Sequence, residues 1–420
     1  MKHLIGRELP AKTLVVAIDC GKATHRVMLA TGEQGVIGEP VSLPTLRRGV
    51  EELTRLILAA GSEGRPVIAV EATGSLHHAW VAELERRFAG SLRLFAPSET
   101  QAARTGLGSR RTKTDDRDCA ALITLARQGL GRPPEGTTVA AMLGAVRHRR
   151  ALVETRRVAQ QRLHDQLNVL CPGLSAPVGH GRALALDDTS GQAILACAVE
   201  FCGRAPAPRS LIARAPGRLT KANASYWSAR WRALLPPPPD AELRARRLSG
   251  ELERWRSLAR DIAVVEGQIA TLLAAGPGQI LTSLPGVAQT RAAAFAAHAL
   301  PIERFPSAEH LYSATGLAPA TYESATLRRR GRISRAGLAE FRDALMGIAW
   351  GLSQSSPAFA ARDRALRERG MAPIQARVAL ARHACRLCFA LLQRQETFDE
   401  ERYVRMRHGA SGDGVYGYAA

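Results

Sequence analysis

Residues 14–20 read LVVAIDC and residues 66–71 read PVIAVE, two short apolar runs rich in β-branched residues that each end beside or on a carboxylate. Runs of this length and composition are the pattern of strands buried on both faces. Outward from the first, residues 25–31 (HRVMLAT) follow a Gly-containing turn, and residues 36–43 predict a third strand that closes an antiparallel meander. Residues 45–60 place Leu46, Val50, Leu53, Leu56 and Ile57 at helical spacing. A helix is expected from Ser75 to Phe88, a short strand over residues 92–95, and a helix from Asp115 to Arg127 carrying Ala120, Leu122, Ile123 and Leu125.

Three strands, a helix, a strand, a helix, a strand and more helix is the order of an α/β ribonuclease-H-like domain. Four carboxylates fall at its informative places. Asp19 ends the first strand and Glu71 a later one, while Asp115 and Asp118 open a helix after a basic loop, residues 106–113. Residues three apart share a helix face, so Asp115 and Asp118 can address one site while Asp116 points away. A charge ending an apolar strand is costly unless solvated, paired or metal-bound. Converging carboxylates suit hard divalent cations, and two such ions can clamp the attacking and leaving oxygens of a phosphodiester. Taken singly, each acid also has a structural reading: Asp19 in a turn before Gly21, Glu71 capping the Thr73-Gly74 turn, Asp115 at a helix N-terminus. The sequence Asp19-Cys20-Gly21-Lys22 also suits the phosphate loop of an actin-like ATPase, but no second acidic loop, Gly-rich adenosine loop or Walker sequence follows.

Composition narrows the partners. The 420 residues carry 58 Lys+Arg against 38 Asp+Glu, a formal charge of +20, and only five of the cations are lysines. Such a field attracts polyanions, and guanidinium suits bidentate phosphate contact. An apolar share of 46% fills ordinary cores, which excludes a wholly disordered chain. No apolar run approaches the roughly 18 residues of a membrane span, and the N-terminus lacks the apolar stretch of a secretory signal. Seven scattered cysteines fit a reducing cytoplasm better than a disulfide framework.

The middle of the chain reads as mostly helical. Residues 151–170 form an Arg/Gln-rich helix, residues 172–240 read as irregular up to the proline run 236–239, and Leu248, Leu252, Trp255, Ala259, Ile262, Val265, Ile269 and Leu272 mark a long helix. That helix suits a helical hairpin or coiled-coil seam and, equally, a plain amphipathic packing. Leu284-Pro285-Gly286-Val287 is similar to a helix–hairpin–helix turn, with a simple helix connection as the alternative. Helices are expected over 336–352, 357–368 and 373–395, followed by a frayed tail. Cys385, Cys388 and His383 have metal-like spacing, but on an apolar helix without a second Cys pair they read as core. Cys20 and Cys119 are expected to face away from the acids, and His77 and His78 to sit at a partly exposed helix start.

AIDCGK (17–22), VEATG (70–74) and TKTDDRDCAALI (112–123) resemble the DEDD motifs of the RuvC-like N-terminal domain in one insertion-sequence transposase family. That family includes the bridge-RNA-guided recombinases and is similar to the pilin-variation invertase. LPGV (284–287), RFPSAEHLYSATGLAP (304–319) and YESATLRRRGRISRAG (322–337) resemble its serine-bearing C-terminal transposase domain. The resemblance implies a metal-binding tetrad of Asp19, Glu71, Asp115 and Asp118, served by Mg2+ or Mn2+. It also implies a nucleophilic serine at Ser324, where many members have Gly next and this chain has Ala325; Ser334 is the rival. Lys113, Arg117, Arg328, Arg329, Arg330, Arg332 and Arg335 become expected nucleic-acid contacts.

Four segments follow: a RuvC-like domain over 12–130, a helical or coiled-coil region with a Pro-rich insert over 131–276, a serine transposase domain over 277–396 and a tail over 397–420. The implied activity is DNA cleavage and rejoining through a serine phosphodiester. Its implied partners are double-stranded DNA at element ends and target, a noncoding guide RNA and further copies of the chain as dimer or tetramer. The implied location is the bacterial cytoplasm at the nucleoid. A metal-dependent junction nuclease using water and a non-catalytic nucleic-acid-binding protein are the competing readings.

Overall fold

The computed structural model describes residues 9–33, 35–107, 114–176, 183–324 and 327–409, with the side chains of 321–332 and 406–409 left aside. The chain divides into two compact units, Met1–Gly136 and Thr137–Ala420.

The first unit is built on five strands: β1 (Leu14–Cys20), β2 (Thr24–Thr31), β3 (Val36–Pro44), β4 (Val67–Glu71) and β5 (Leu92–Phe95). They lie in the order β3-β2-β1-β4-β5. The hairpin neighbours β1–β2 and β2–β3 pair antiparallel, whereas β1–β4 and β4–β5 pair parallel. Helices α1 (Arg47–Ala60) and α2 (His78–Arg87) supply the crossovers, as the parallel pairs require. The mixed sheet with helices on it is the ribonuclease-H-like arrangement expected from the element order.

Alternation along the strands divides the interior into two layers. Leu14, Val16, Ile18 and Cys20 of β1 join Ile68 and Val70 of β4 under α1 and α2. Val15 and Ala17 join Ala69 and Phe95 on the opposite face, closed by Cys119, Leu122, Ile123 and Ala126 of a later helix, Asp115–Arg127. One further helix, α3 (Pro97–Gly106), lies in a stretch to which the sequence reading assigns no element, and the Asp115–Arg127 helix is therefore α4.

Among the described residues the second unit is helical apart from one hairpin. Two helices of 34 residues, α5 (Thr137–Leu170) and α9 (Ala241–Ala274), run along each other. Between them lie α6 (Thr189–Glu200), α7 (Pro208–Arg214) and α8 (Lys221–Arg232), so much of the stretch read as irregular is helical. The apolar stripe of α9 is not one seam. Val265, Ile269 and Leu273 enter a core with Met142 of α5, while Ala245, Leu248, Leu252 and Trp255 enter a second core with Leu163 and Leu167. Opposite ends of the two helices meet, so they are antiparallel.

Two strands, β6 (Pro319–Ser324) and β7 (Leu327–Ile333), pair antiparallel within this unit. The remaining helices are α10 (Gln289–Ala299), α11 (Ala308–Ala314), α12 (Ala339–Ser355), α13 (Pro357–Glu368), α14 (Pro373–Arg394) and α15 (Glu400–Gly409). The expected frayed tail is a helix through residue 409, because buried Tyr403 stacks on Phe359 at 5.3 Å between ring centroids. Among the described residues no helix is long and apolar enough to cross a membrane.

Candidate active site

The parallel register of β1 and β4 pairs Val15 with Val67 and continues in step to Ile18 with Val70. One residue further brings Asp19 level with Glu71 at the C-terminal ends of neighbouring strands. Both continue the odd-numbered alternation of Val15, Ala17, Val67 and Ala69, so both belong to the face covered by α4. Strand ends in an open α/β sheet are where its sites form, because the backbone there leaves the ladder and side chains reach solvent.

Helix α4 supplies the other two acids. Thr114 is its N-cap, the hydroxyl accepting from the Arg117 amide at 3.3 Å, so Asp115 is the first helical residue and not the cap. Asp115 stays exposed, one turn before buried Cys119. Asp118 is 2% exposed and ion-paired with Arg104 of α3. A buried carboxylate needs such a partner. Asp116 turns toward β2, where Arg26 Nε donates to its Oδ1 at 2.6 Å and Arg26 Nη1 donates to Ser42 at 3.1 Å. This clamp fixes the start of α4 on the sheet, and the carboxylate holds the guanidinium pKa above its usual value.

Glu71 accepts from the Thr73 hydroxyl at 2.6 Å, so it also braces the turn after β4. The two thiols behave differently. Cys20 faces the α1–α2 layer as expected, and burial, then the charges of Asp19 and Glu71, push it up to about 12. Cys119 does not turn away: it lies on the Asp19 face, its thiol against the Arg26 carbonyl at 3.4 Å, and burial and then Asp19 raise its pKa far above the ordinary range. Neither is a nucleophile, since the thiolate is suppressed. His77 is buried rather than partly exposed, its ring tilted against that of His78 at 4.2 Å, and burial lowers its pKa.

Among the described residues no three His, Cys, Asp or Glu side chains stand close enough to hold a metal ion. The donor chemistry nonetheless suits a hard divalent cation: carboxylates only, one face of the sheet, one end of the strands. An ion there would have to take Asp118 from Arg104. Arg104 was not visible in the sequence reading, since nothing in TQAART marks it apart from other surface arginines.

In the second unit Ser324 is the last residue of β6 and pairs with Leu327 of β7. Glu323 pairs with Arg328, Tyr322 with Arg329 and Thr321 with Arg330, so the basic stretch is the returning strand. Arg332 follows on β7, and Arg335 lies just beyond it with φ at +55°. Ser334 is knotted into that bend. Its amide donates to Ala318 at 2.8 Å and its hydroxyl accepts from the Ala336 amide at 3.4 Å. Lys113, like Ala325 beside the serine, lies outside the described residues. Cys385 and Cys388 sit in the helical core, and His383 bonds Arg362.

Two family models match the chain. One, described as Transposase and of the DEDD IS110 type, covers residues 16–172; the other, the Transposase IS116/IS110/IS902 family, covers residues 278–364. The chain belongs to the IS110 family of insertion-sequence transposases. The first match runs from within β1 through β5 and holds all four acids, the second the β6–β7 hairpin with Ser324. A relative from Streptomyces coelicolor, an insertion element IS110 uncharacterized 43.6 kDa protein, is 36% identical over 139 residues. That match spans about a third of either protein, 33% of this chain and 34% of the relative.

Proposed function

We propose that this chain is a DNA transposase that cuts and rejoins strands through a serine phosphodiester, with the four acids and Ser324 acting on the same scissile phosphate. The observation that carries the reading is the register of Asp19 with Glu71 beneath the α4 acids, in a chain whose second family match contains Ser324.

Ser324 supplies the nucleophile. Its oxygen forms a new bond to phosphorus as the scissile P–O bond breaks, and its proton passes to the leaving oxygen or an intervening base. The ester count is unchanged, so the reverse attack by a strand end reseals DNA without ATP. A serine hydroxyl is weak at neutral pH and needs activation. Divalent ions held by Asp19, Glu71, Asp115 and Asp118 would supply charge for the phosphoryl oxygens. Arg117 and the guanidiniums at Arg328, Arg329, Arg330, Arg332 and Arg335 would hold the flanking backbone, together with Lys113. A noncoding RNA guides the choice of ends and target, and the chain works as a dimer or tetramer.

The test is adduct capture. Purified protein, Mg2+, DNA bearing the element ends and the adjacent noncoding RNA are combined, and the protein is mapped by mass spectrometry for attached nucleotide. Nucleotide on Ser324 is expected. Attachment to Ser334 would move the nucleophile, and strand breaks with no adduct would mean hydrolysis by water. Recombination without added RNA would remove the guide.

A further inference from the structure

Residues 173–277 lie between the two segments that the family models match, and within them residues 201–239 hold six arginines and one lysine without a single carboxylate. A charge run of that kind usually means a solvated, unfolded tail. Here it is folded. Leu195, Leu211, Trp227 and Trp231 close a core with Leu163 and Leu167 of α5. Inside it the Trp231 indole donates to the Gly203 carbonyl at 2.9 Å and the Ser228 hydroxyl to the Pro206 carbonyl at 2.7 Å. These bonds tie α8 to the 203–206 turn, so the charges are displayed from a fixed scaffold.

Some of the cations are used internally. Arg214 pairs with Glu200, and Arg230 lies over the Trp227 ring at 5.3 Å while donating to the Gly173 carbonyl at 3.2 Å. Arg204, Arg209, Arg218 and Lys221 are exposed and make no ion pair among the described residues. Four like charges on a small module repel one another, a cost that an external polyanion relieves. The aromatic rings decide between its forms. Trp227 and Trp231 are 4% and 2% exposed, which leaves Tyr226, at 39%, as the exposed ring of α8. Unpaired bases need ring platforms to stack on, whereas a duplex backbone needs only charge.

We propose that the cap formed by α6, α7 and α8 binds the phosphate backbone of double-stranded DNA without reading its bases. The choice of DNA over other duplexes rests on the transposase reading; the charge and burial argument stands without it.

The test uses the full chain with Arg204, Arg209, Arg218 and Lys221 all changed to Gln, titrated onto a short duplex of arbitrary sequence at several salt concentrations. Each lost phosphate contact removes about 0.9 from the slope of log affinity against log salt, so a fall of about 3–4 is expected, with an unchanged melting temperature. A second variant keeps the charge (Arg204→Lys, Arg209→Lys, Arg218→Lys, Lys221→Arg) and should keep the parent slope, which separates charge from misfolding. An unchanged slope in the Gln variant overturns the proposal, and so does a loss confined to duplex RNA. Strand cleavage by the unaltered chain is scored separately: a chain that cuts nothing yet loses the slope would sink the transposase reading and leave the cap site standing.

Discussion

The acids and the serine stand on scaffolds of very different depth. Asp19 and Glu71 end central strands of a five-stranded sheet with helices on both faces, and Asp118 is buried beside Arg104. Ser324 ends a hairpin whose sheet has two strands among the described residues. Isolated two-stranded ribbons are marginal in water, so the hairpin draws its order from what it packs on. The proposed chemistry asks a sheet-borne set of acids and a hairpin-borne serine to act on one phosphate, and substitutions should separate the two.

The largest effects strike both sides alike. Asp19→Asn and Ser324→Ala are each expected to lower recombination by at least about a thousandfold, because groups that act as a unit fail as a unit. The double variant should be no worse than either single one, and independent, multiplying losses would break the proposed partnership. Gel-shift binding to DNA should survive in all three.

Arg104→Ala sharpens the platform side. It strands a carboxylate that is 2% exposed, while Arg104 itself keeps some water contact, so a loss of about 2–4 kcal/mol is expected by urea unfolding. Mg2+ or Mn2+ should then stabilise the variant more than the parent, since the ion replaces the missing cation. Equal stabilisation of both would mean that Asp118 takes no metal.

A pH test probes the opposite layer of the same sheet. His25 is 1% exposed, edge-on to Trp80 at 4.4 Å, with neither ring nitrogen finding a hydrogen-bond partner among the described residues, and burial lowers its pKa. The unfolded chain takes up a proton near the ordinary histidine value of about 6.5, the folded chain only below it. Between those values the unfolded state binds more protons, so stability is full above the ordinary value and falls as pH drops through it. The thermal midpoint should decline from about pH 7 to pH 5, and His25→Phe should flatten the decline. An equally steep decline in the variant would place the effect elsewhere, His77 being next.

The smallest effect belongs to Ser334→Ala. Its hydroxyl accepts from the Ala336 amide at 3.4 Å and donates to the Gly316 carbonyl at 3.5 Å, both long, so a loss under about 1 kcal/mol and near-parent recombination are expected. A collapse of recombination with the fold intact would transfer the nucleophile.

The same contrast explains what could be read from the sequence. β1 and β4 were legible because strands buried on both faces are spelled as unbroken apolar runs, and the carboxylates at their ends stand out against them. The β6–β7 hairpin was not anticipated: TYES and LRRRGR alternate weakly and carry no apolar face, so neither signals a strand. Helices α6 to α8 were hidden by the Gly, Pro and Ala around them, since their order comes from a core assembled with distant parts of α5 and α9. Arg104 and the Cys119 orientation are tertiary facts with no local spelling. The choice of Ser324 rests on the family resemblance alone, since periodicity does not single it out.

The long helices α5 and α9 run through two separate cores, one anchored near Met142 and Leu273, the other near Leu167 and Leu248. Because each end is sealed independently, the far end can be lengthened, trimmed or exchanged like the head on a tool shaft while the handle stays intact. The distal core can therefore change by insertion or deletion without rebuilding the core on which Ile333 of the β6–β7 hairpin packs.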